Sequence, residues 1–436
     1  MLFRIFDHKG KMTRYKSHII LGFLALLAVG CKSTQKAVVG ENKVQTVEKI
    51  KRPDGLEVVA VNTAFSKVSN TEIEVYLRAD LAHMDKAGIT DLNSLKEKIR
   101  CTWQLQPSSG IKERLESGKI FQENMQADLV DSSLFVVYRI PVLEGYTDVN
   151  LISEFTDLAA AKKFIDQSPI SFVDNRVNHR FVRFQEGKSF PDFRRFVKVG
   201  DKIVFNNANN TAERLYLKYY QASDAPAASP MSTSRRSPYD GFEELSVDTI
   251  SSGQVISLTK PGMYLLTDSL EPNASGNGFL VVNERFPRLT YTEDLASPLA
   301  YMSTNKEIEA LKSASNSKAG LDTYFLNLAK GDKEKAKKLI RDYYRRITEA
   351  NELFTTYKEG WRTDKGMIYT IMGPPSTRQF VGQREVWTYS GVEIYFTFYR
   401  KPNKFSEDHF ELVRYPEYGS IWFPIVEAWR TGSVLE

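Results

Sequence analysis

The 436-residue chain has only two cysteines, Cys31 and Cys101. That excludes a scaffold stapled by disulfides. Histidine is scarce too: beyond residue 30 only His83, His179 and His409 occur, and each stands alone. A zinc site needs three or four clustered ligands, so no metal is expected. Gly-x-Ser-x-Gly, Gly-x-x-x-x-Gly-Lys-Ser/Thr and Gly-x-Gly-x-x-Gly are all missing. The usual serine-hydrolase, P-loop and dinucleotide signatures are therefore absent. Neither a catalytic residue nor a cofactor is read from the sequence. Asp364 and the pair Asp408-His409 are the most acid/base-like features, and they read as a turn residue and a chance adjacency. Long apolar runs are also missing. Residues 19–30 (IILGFLALLAVG) form a run of 12, short of the ~20 a membrane-crossing helix needs.

The chain carries a formal charge of +5, but the excess is local. Residues 1–30 hold five basic side chains against Asp7, which leaves 54 basic and 53 acidic residues elsewhere. The remainder is nearly neutral, so nucleic acid is not an expected partner. The hydrophobic fraction of 42% and charged fraction of 26% describe a globular protein.

A basic start, a short apolar run and small residues describe a secretory signal peptide over 1–30. The run ends in Ala28-Val29-Gly30-Cys31, which resembles the lipobox of bacterial lipoproteins. The resemblance implies cleavage before Cys31 and a diacylglycerol on its sulfur. Each buried CH₂ contributes ~0.8 kcal/mol, so several acyl chains anchor a protein. Residues 31–55 then read as a polar, lipid-anchored tether. Cys101 would have no intrachain partner and reads as a small buried hydrophobe.

From Leu56 the period is that of strands. Ile73, Val75 and Leu77 alternate with polar neighbours, and Leu134–Pro141 and Val149–Ile152 follow. Short strands with polar turns predict a β-sandwich over 56–175. A second sandwich is expected over 176–287, from apolar runs such as Lys202–Phe205, Arg214–Tyr220 and Gly278–Val282. Residues 222–238 are rich in Pro, Ala and Ser and read as a mobile surface loop. Both modules read as immunoglobulin-like.

After Pro287 the pattern turns helical across 305–355. Ala336, Leu339, Tyr343, Ile347, Ala350 and Phe354 recur at three and four, giving one apolar face. Asn305 and Asp332 read as helix caps. A sheet is expected over 367–414, with Met367–Met372 as its first strand, and an aromatic tail over 415–436. The fold class is thus mainly β, two sandwiches followed by an α+β C-terminal domain over 288–436.

Within that domain, Gly360-Trp361-Arg362-Thr363-Asp364 resembles the defining pentapeptide of the GWxTD-domain family, found mainly in Bacteroidota. Gly366, Tyr369, Gly373-Pro374-Pro375, Trp387 and Tyr389 continue the resemblance in order. The family often has Phe-Trp…Arg-Asp-Pro ahead of its helix, where this chain has Tyr324–Lys330. The resemblance implies an envelope lipoprotein and brings no catalytic residue. Physically, these residues read as structural: Gly360 stops the helix with a positive φ, Thr363 or Asp364 closes a turn, and Gly366 turns into the strand.

Four of five tryptophans lie after residue 360. Trp422, Phe423 and Trp429 read either as a tail packed on its own domain or as a partner surface. The expectation is a non-enzymatic lipoprotein of the outer membrane with its body in the periplasm. It would touch the membrane through its anchor and other envelope proteins as a scaffold. The alternative is an envelope hydrolase or glycan-binding protein using the aromatic domain.

Overall fold

The computed structural model describes residues 56–433, apart from 110–112, 123–124, 173–176, 222–224, 234–241, 275 and 393. The expected signal peptide, Cys31 and the tether lie outside the described residues.

The first unit holds, in chain order, β1 (Glu57–Lys67), β2 (Glu72–Ala82), α1 (Leu92–Lys98), β3 (Ile99–Pro107), β4 (Glu116–Lys119), β5 (Gln126–Val130), β6 (Ser133–Pro141), β7 (Asp148–Asp157) and β8 (Lys163–Ser171). Its strands form two antiparallel sheets, ordered β1-β2-β6-β5 and β4-β3-β7-β8. Alternation explains why the sheets face each other. Val75 and Leu77 of β2 and Val136 of β6 meet Cys101, Leu105 and Leu151 of the other sheet in one core. Cys101 is a free thiol within it, and burial pushes its pKa up.

The second unit follows with α2 (Val177–Arg180), β9 (Phe181–Gln185), β10 (Phe196–Lys198), β11 (Lys202–Asn207), β12 (Arg214–Tyr220), β13 (Glu244–Ser251), β14 (Ile256–Ser257), β15 (Gly262–Thr267) and β16 (Asn277–Val282). A five-stranded sheet β10-β16-β15-β12-β13 faces a three-stranded one, β14-β11-β9. Phe205, Leu217, Leu266 and Phe279 share the core between them.

The third unit holds α3 (Thr292–Leu295), α4 (Asn305–Ser313), α5 (Ser317–Leu328), α6 (Lys333–Phe354), a 3-10 turn at Gly360–Arg362, α7 (Asp364–Met372), β17 (Thr377–Val381), β18 (Arg384–Tyr389), β19 (Ile394–Arg400), β20 (Phe410–Leu412) and α8 (Gly419–Thr431). The four strands make one antiparallel meander. Helix α6 starts at Asp332, whose carboxylate accepts from the amides of Glu334 and Lys335, two otherwise orphaned donors. Helix α4 is capped one residue earlier than expected. Thr304, not Asn305, accepts from Glu307 N–H, and Glu307 reaches back to complete a capping box.

Several expectations need correction. Met367–Met372 is the body of helix α7, not a strand. A short apolar run has no periodicity to separate a buried helix from a buried strand, and Met367, Ile368, Tyr369 and Ile371 are all buried. The sheet therefore begins at Thr377. Gly373, at φ 83°, ends that helix as its cap. The tail is helix α8, and it lies on its own domain: Trp422 and Trp429 are buried in the core, while Phe423 is 61% exposed. Trp429 Nε1 donates to Ile371 O at 3.0 Å, which holds α8 against α7. The partner-surface reading thus fails for both tryptophans and survives only at Phe423.

The described part of 222–238 is not a free surface loop. Ala227 N donates to Tyr301 Oη at 3.1 Å, Arg414 donates to the carbonyls of Ala228 and Ser229, and Tyr415 N donates to Pro230 O. Proline and alanine supplied no periodicity, but their backbone groups found partners on the third unit.

The units are joined by backbone and ring contacts. Ser66 Oγ donates to Arg180 O and accepts from Ala208 N, and Tyr76 meets Phe184 edge to face at 5.9 Å. Between the second and third units, Gly278 N donates to Phe405 O at 2.8 Å and Gly276 N to Lys404 O at 3.0 Å. The β19–β20 loop thereby acts as a latch. Phe405 plugs into a pocket of Tyr220, Met263, Leu265 and Tyr357, and Glu407 meets His179 Nε2 at 3.0 Å.

Truncating this plug removes a fully buried ring. Phe405→Ala is expected to cost about 3–5 kcal/mol in chemical denaturation of the full chain. A loss below about 1 kcal/mol contradicts the latch.

Candidate functional site

Helix α6 ends at Phe354 and the chain doubles back to cross it. Thr355 makes the reversal. Its hydroxyl donates to Asn351 O at 2.6 Å and accepts from Gly360 N at 2.9 Å. Asn351 is fully buried; its Oδ1 accepts from Trp361 N at 3.1 Å and its Nδ2 donates to Pro287 O at 2.9 Å. One amide thus ties the motif, α6 and the segment after β16 together.

The glycines are required by space, and this corrects the sequence reading. Gly360 does not lie at positive φ. A Cβ there would overlap the Ala350 carbonyl oxygen and sit 2.7 Å from Asn351 Cα. A Cβ on Gly366 would overlap the Gly360 carbonyl oxygen and sit 3.0 Å from Trp361 Cα. Gly366 is a helical residue, not a turn into a strand. Three backbone segments therefore touch directly.

The other motif residues hold this crossing. Trp361 is fully buried; its Nε1 donates to Glu359 Oε2 at 2.7 Å, and its carbonyl accepts from Tyr301 Oη at 2.8 Å. Arg362 lies over the Trp361 ring at 4.3 Å and donates from Nε to Glu359 Oε2 at 2.8 Å. Thr363 caps α7: its hydroxyl accepts from Gly366 N at 3.0 Å and donates to Gly360 O at 2.7 Å. Asp364 is the first residue of α7, where a carboxylate complements the helix dipole. Its Oδ2 accepts from Leu412 N at 2.7 Å and its Oδ1 from Arg414 at 2.6 Å. The acid is spent on binding strand β20 and stands in no open cleft.

Further along, Tyr369 donates from its hydroxyl to Glu349 Oε2 at 3.1 Å, and Tyr389 to Gly373 O at 2.8 Å. Gly373 is buried while Pro374 is exposed and Pro375 half-buried. Asp408 and His409 face different partners. Asp408 lies 3.5 Å from Arg195, and His409 Nδ1 lies 3.3 Å from Tyr357 Oη. Among the described residues no group of three His, Cys, Asp or Glu gathers to hold a metal ion.

A buried charge cluster, which the sequence did not reveal, lies beside the motif. Glu385, fully buried on β18, accepts from Lys365, from Arg378 Nε at 2.9 Å and from Trp387 Nε1 at 2.6 Å. Burial alone would raise the Glu385 carboxyl, but Lys365 and Arg378 outweigh it and lower it to about 2. The cluster extends to the first unit. There Asp166 of β8 is raised to about 6, chiefly by burial, with Arg378 opposing and Glu385 adding to it.

On the other side of the motif lies an open cleft of about 220 Å³. Its apolar floor comes from Leu280, Val282 and Phe286. Arg285, Arg288, Lys358 and Arg362 line it with Asp294 and Glu359. Sequence spacing gave no sign of it, because 285–294 and 358–362 are separated by three helices. The one available signal was the cluster of Arg285 and Arg288 around Pro287.

Two tests follow from this geometry. Gly360→Ala and Gly366→Ala are each expected to cost about 3 kcal/mol or more, because overpacked backbone has nowhere to move. Gly391→Ala, where an added Cβ meets nothing within 4 Å, stays within about 0.5 kcal/mol. Equal effects at all three sites contradict the crossing. The second test concerns pH. Glu385 has an ordinary value of 4.5 and a folded value of about 2. As pH falls through that window the unfolded chain binds a proton that the folded chain resists, so stability is lost. Glu385→Gln removes that share of the acid loss. At neutral pH it costs about 3–5 kcal/mol, since Lys365 is left buried without its partner. Urea melts at pH 7 and below 4.5 check both.

No curated protein matches the chain in sequence. The family model of the GWxTD domain matches residues 262–431. That span takes in β15 and β16 together with everything from α3 to α8. It also contains the cleft lining except Pro261. The chain carries a GWxTD domain, and the crossing at Gly360 and Gly366 is the structural content of its signature.

Proposed function

We propose that the protein is a non-enzymatic lipoprotein of the bacterial envelope, anchored in the outer membrane through Cys31 with its body in the periplasm. Two β-sandwiches hold the GWxTD domain at a distance from the membrane, as a scaffold or adaptor for other envelope proteins. The observation that carries this reading is the use of the motif's polar groups. Trp361, Thr363 and Asp364 all bond to neighbouring backbone or to fixed side chains, so the signature builds a rigid head. The lipobox-like Ala28-Val29-Gly30-Cys31 and the near-neutral remainder of the chain support the anchor and the absence of a nucleic-acid partner.

The hydrolase alternative needs Asp364 free beside a second carboxylate, and its engagement with Leu412 N and Arg414 gives that reading no support. The glycan-platform alternative rested on tryptophans, of which Trp361, Trp387, Trp422 and Trp429 are all buried.

Cys31→Ala is expected to move the protein from the membrane to the soluble fraction, and unchanged fractionation rejects the anchor. Crosslinking in intact cells, followed by purification from solubilised membranes, should recover a defined heteromeric species. Recovery of uncrosslinked monomer alone rejects the scaffold.

A further inference from the structure

Three lysines are partly or wholly covered by the fold in the described residues, and they are not alike. Lys218, 1% exposed, donates to the carbonyls of Leu270 and Glu271. Lys365 is paired with Glu385. Lys358 has no such oxygen. It lies in the wall of the cleft next to the GWxTD motif, with its ammonium 5.9 Å from the centroid of the Tyr357 ring. Burial lowers its pKa, Asp364 and Glu411 oppose this, and Arg362 and Arg414 add to it. Half-buried in that wall, its ammonium is available to an anion in the cleft.

The surroundings of Lys358 point the same way. Arg285 faces the Tyr291 ring at 5.8 Å, and Arg288 is exposed, with its charge felt by Glu352. Of the two carboxylates in the lining, Glu359 is already taken by Arg362 and Trp361. Asp294 is pushed up by partial burial and by Glu359 and Glu293. Four cations against two carboxylates leave an excess of two positive charges around the cleft. The floor of Leu280, Val282 and Phe286 is apolar.

We propose that this cleft binds a phosphate monoester carried on a sugar or lipid body. Lys358 and Arg288 hold the phosphoryl oxygens, and the body rests on the floor beneath β16. A phosphate monoester carries about −1.5 to −2 charges at neutral pH, which matches the excess, whereas a single carboxylate leaves it half-compensated. Arginine and lysine are the usual phosphate ligands, the first through its planar fork and the second as a point charge. The inference adds a ligand to the GWxTD domain and does not depend on the anchor at Cys31.

Titration calorimetry on the full-length protein in a non-ionic detergent tests it, using inorganic phosphate, glucose 1-phosphate and dihexanoyl phosphatidic acid. Glucose and dihexanoyl phosphatidylcholine serve as controls. Saturable binding is expected for at least one phosphate monoester and for neither control. The tighter of the two esters identifies the body as sugar or lipid. Arg288→Gln and Lys358→Gln each remove a charge-assisted bond, so affinity falls roughly ten- to a hundredfold. Lys358→Met is expected to abolish binding without lowering the melting temperature of the unliganded protein, since no side-chain bond is lost. Loss of a merely structural lysine would lower it. Absence of saturable binding by every monoester, binding of the controls with equal affinity, or unchanged affinity in both glutamine variants overturns the proposal.

Discussion

The C-terminal domain depends on one steric constraint, the direct contact of backbone with backbone where α6, the Gly360 turn and α7 cross. Gly360 lies on the Ala350 carbonyl and Gly366 lies on the Gly360 carbonyl. No side chain fits at either layer. Everything else in the motif follows from having to hold chains so close. The reversal after α6 leaves amides without helical partners, and Thr355, Asn351 and Thr363 satisfy them. Trp361 fills the space beside the crossing, and Tyr301 closes it from above, edge to face at 5.9 Å.

The crossing also places charges. Helix α7 begins immediately after it, so Asp364 lands where the dipole favours an acid and where β20 offers an amide. Lys365, the next residue, points to the sheet and finds Glu385. On the near side, Lys358 and Arg362 are carried to the wall of the cleft under β16. A single structural device thus sets both a buried ion cluster, which is neutralised from within, and a cationic cleft, which is not.

The contacts between these units use backbone groups. The β19–β20 loop takes bonds from Gly276 and Gly278 of the preceding sandwich, and Gly278 lacks a side chain where Phe405 O comes in. The segment containing Ala227 and Pro230 adds a second strap to the same domain. Such contacts depend on register and leave little freedom to slide. The span matched by the family accordingly includes two strands of a sheet whose other members lie outside it.

The sequence by itself determined the mainly β architecture, the long amphipathic α6 and the presence of a sheet within 367–414. These rest on periodicity, which is local: alternation in β2 and β6, and spacings of three and four in α6. It also singled out Gly360, Trp361, Thr363, Asp364 and Gly366 of the crossing but not Asn351 or Thr355, and for the wrong reason at Gly360 and Gly366, since a glycine needed for space and one needed for positive φ look identical in a string. Only the tertiary structure decided that Met367–Met372 is a helix, because a run buried on all sides carries no period. It alone decided that Trp422 and Trp429 face inward, that residues 227–230 strap the domain, and that Lys358 and Arg288 line one cleft. These are contacts between residues far apart in the chain, and packing, not spacing, brings them together.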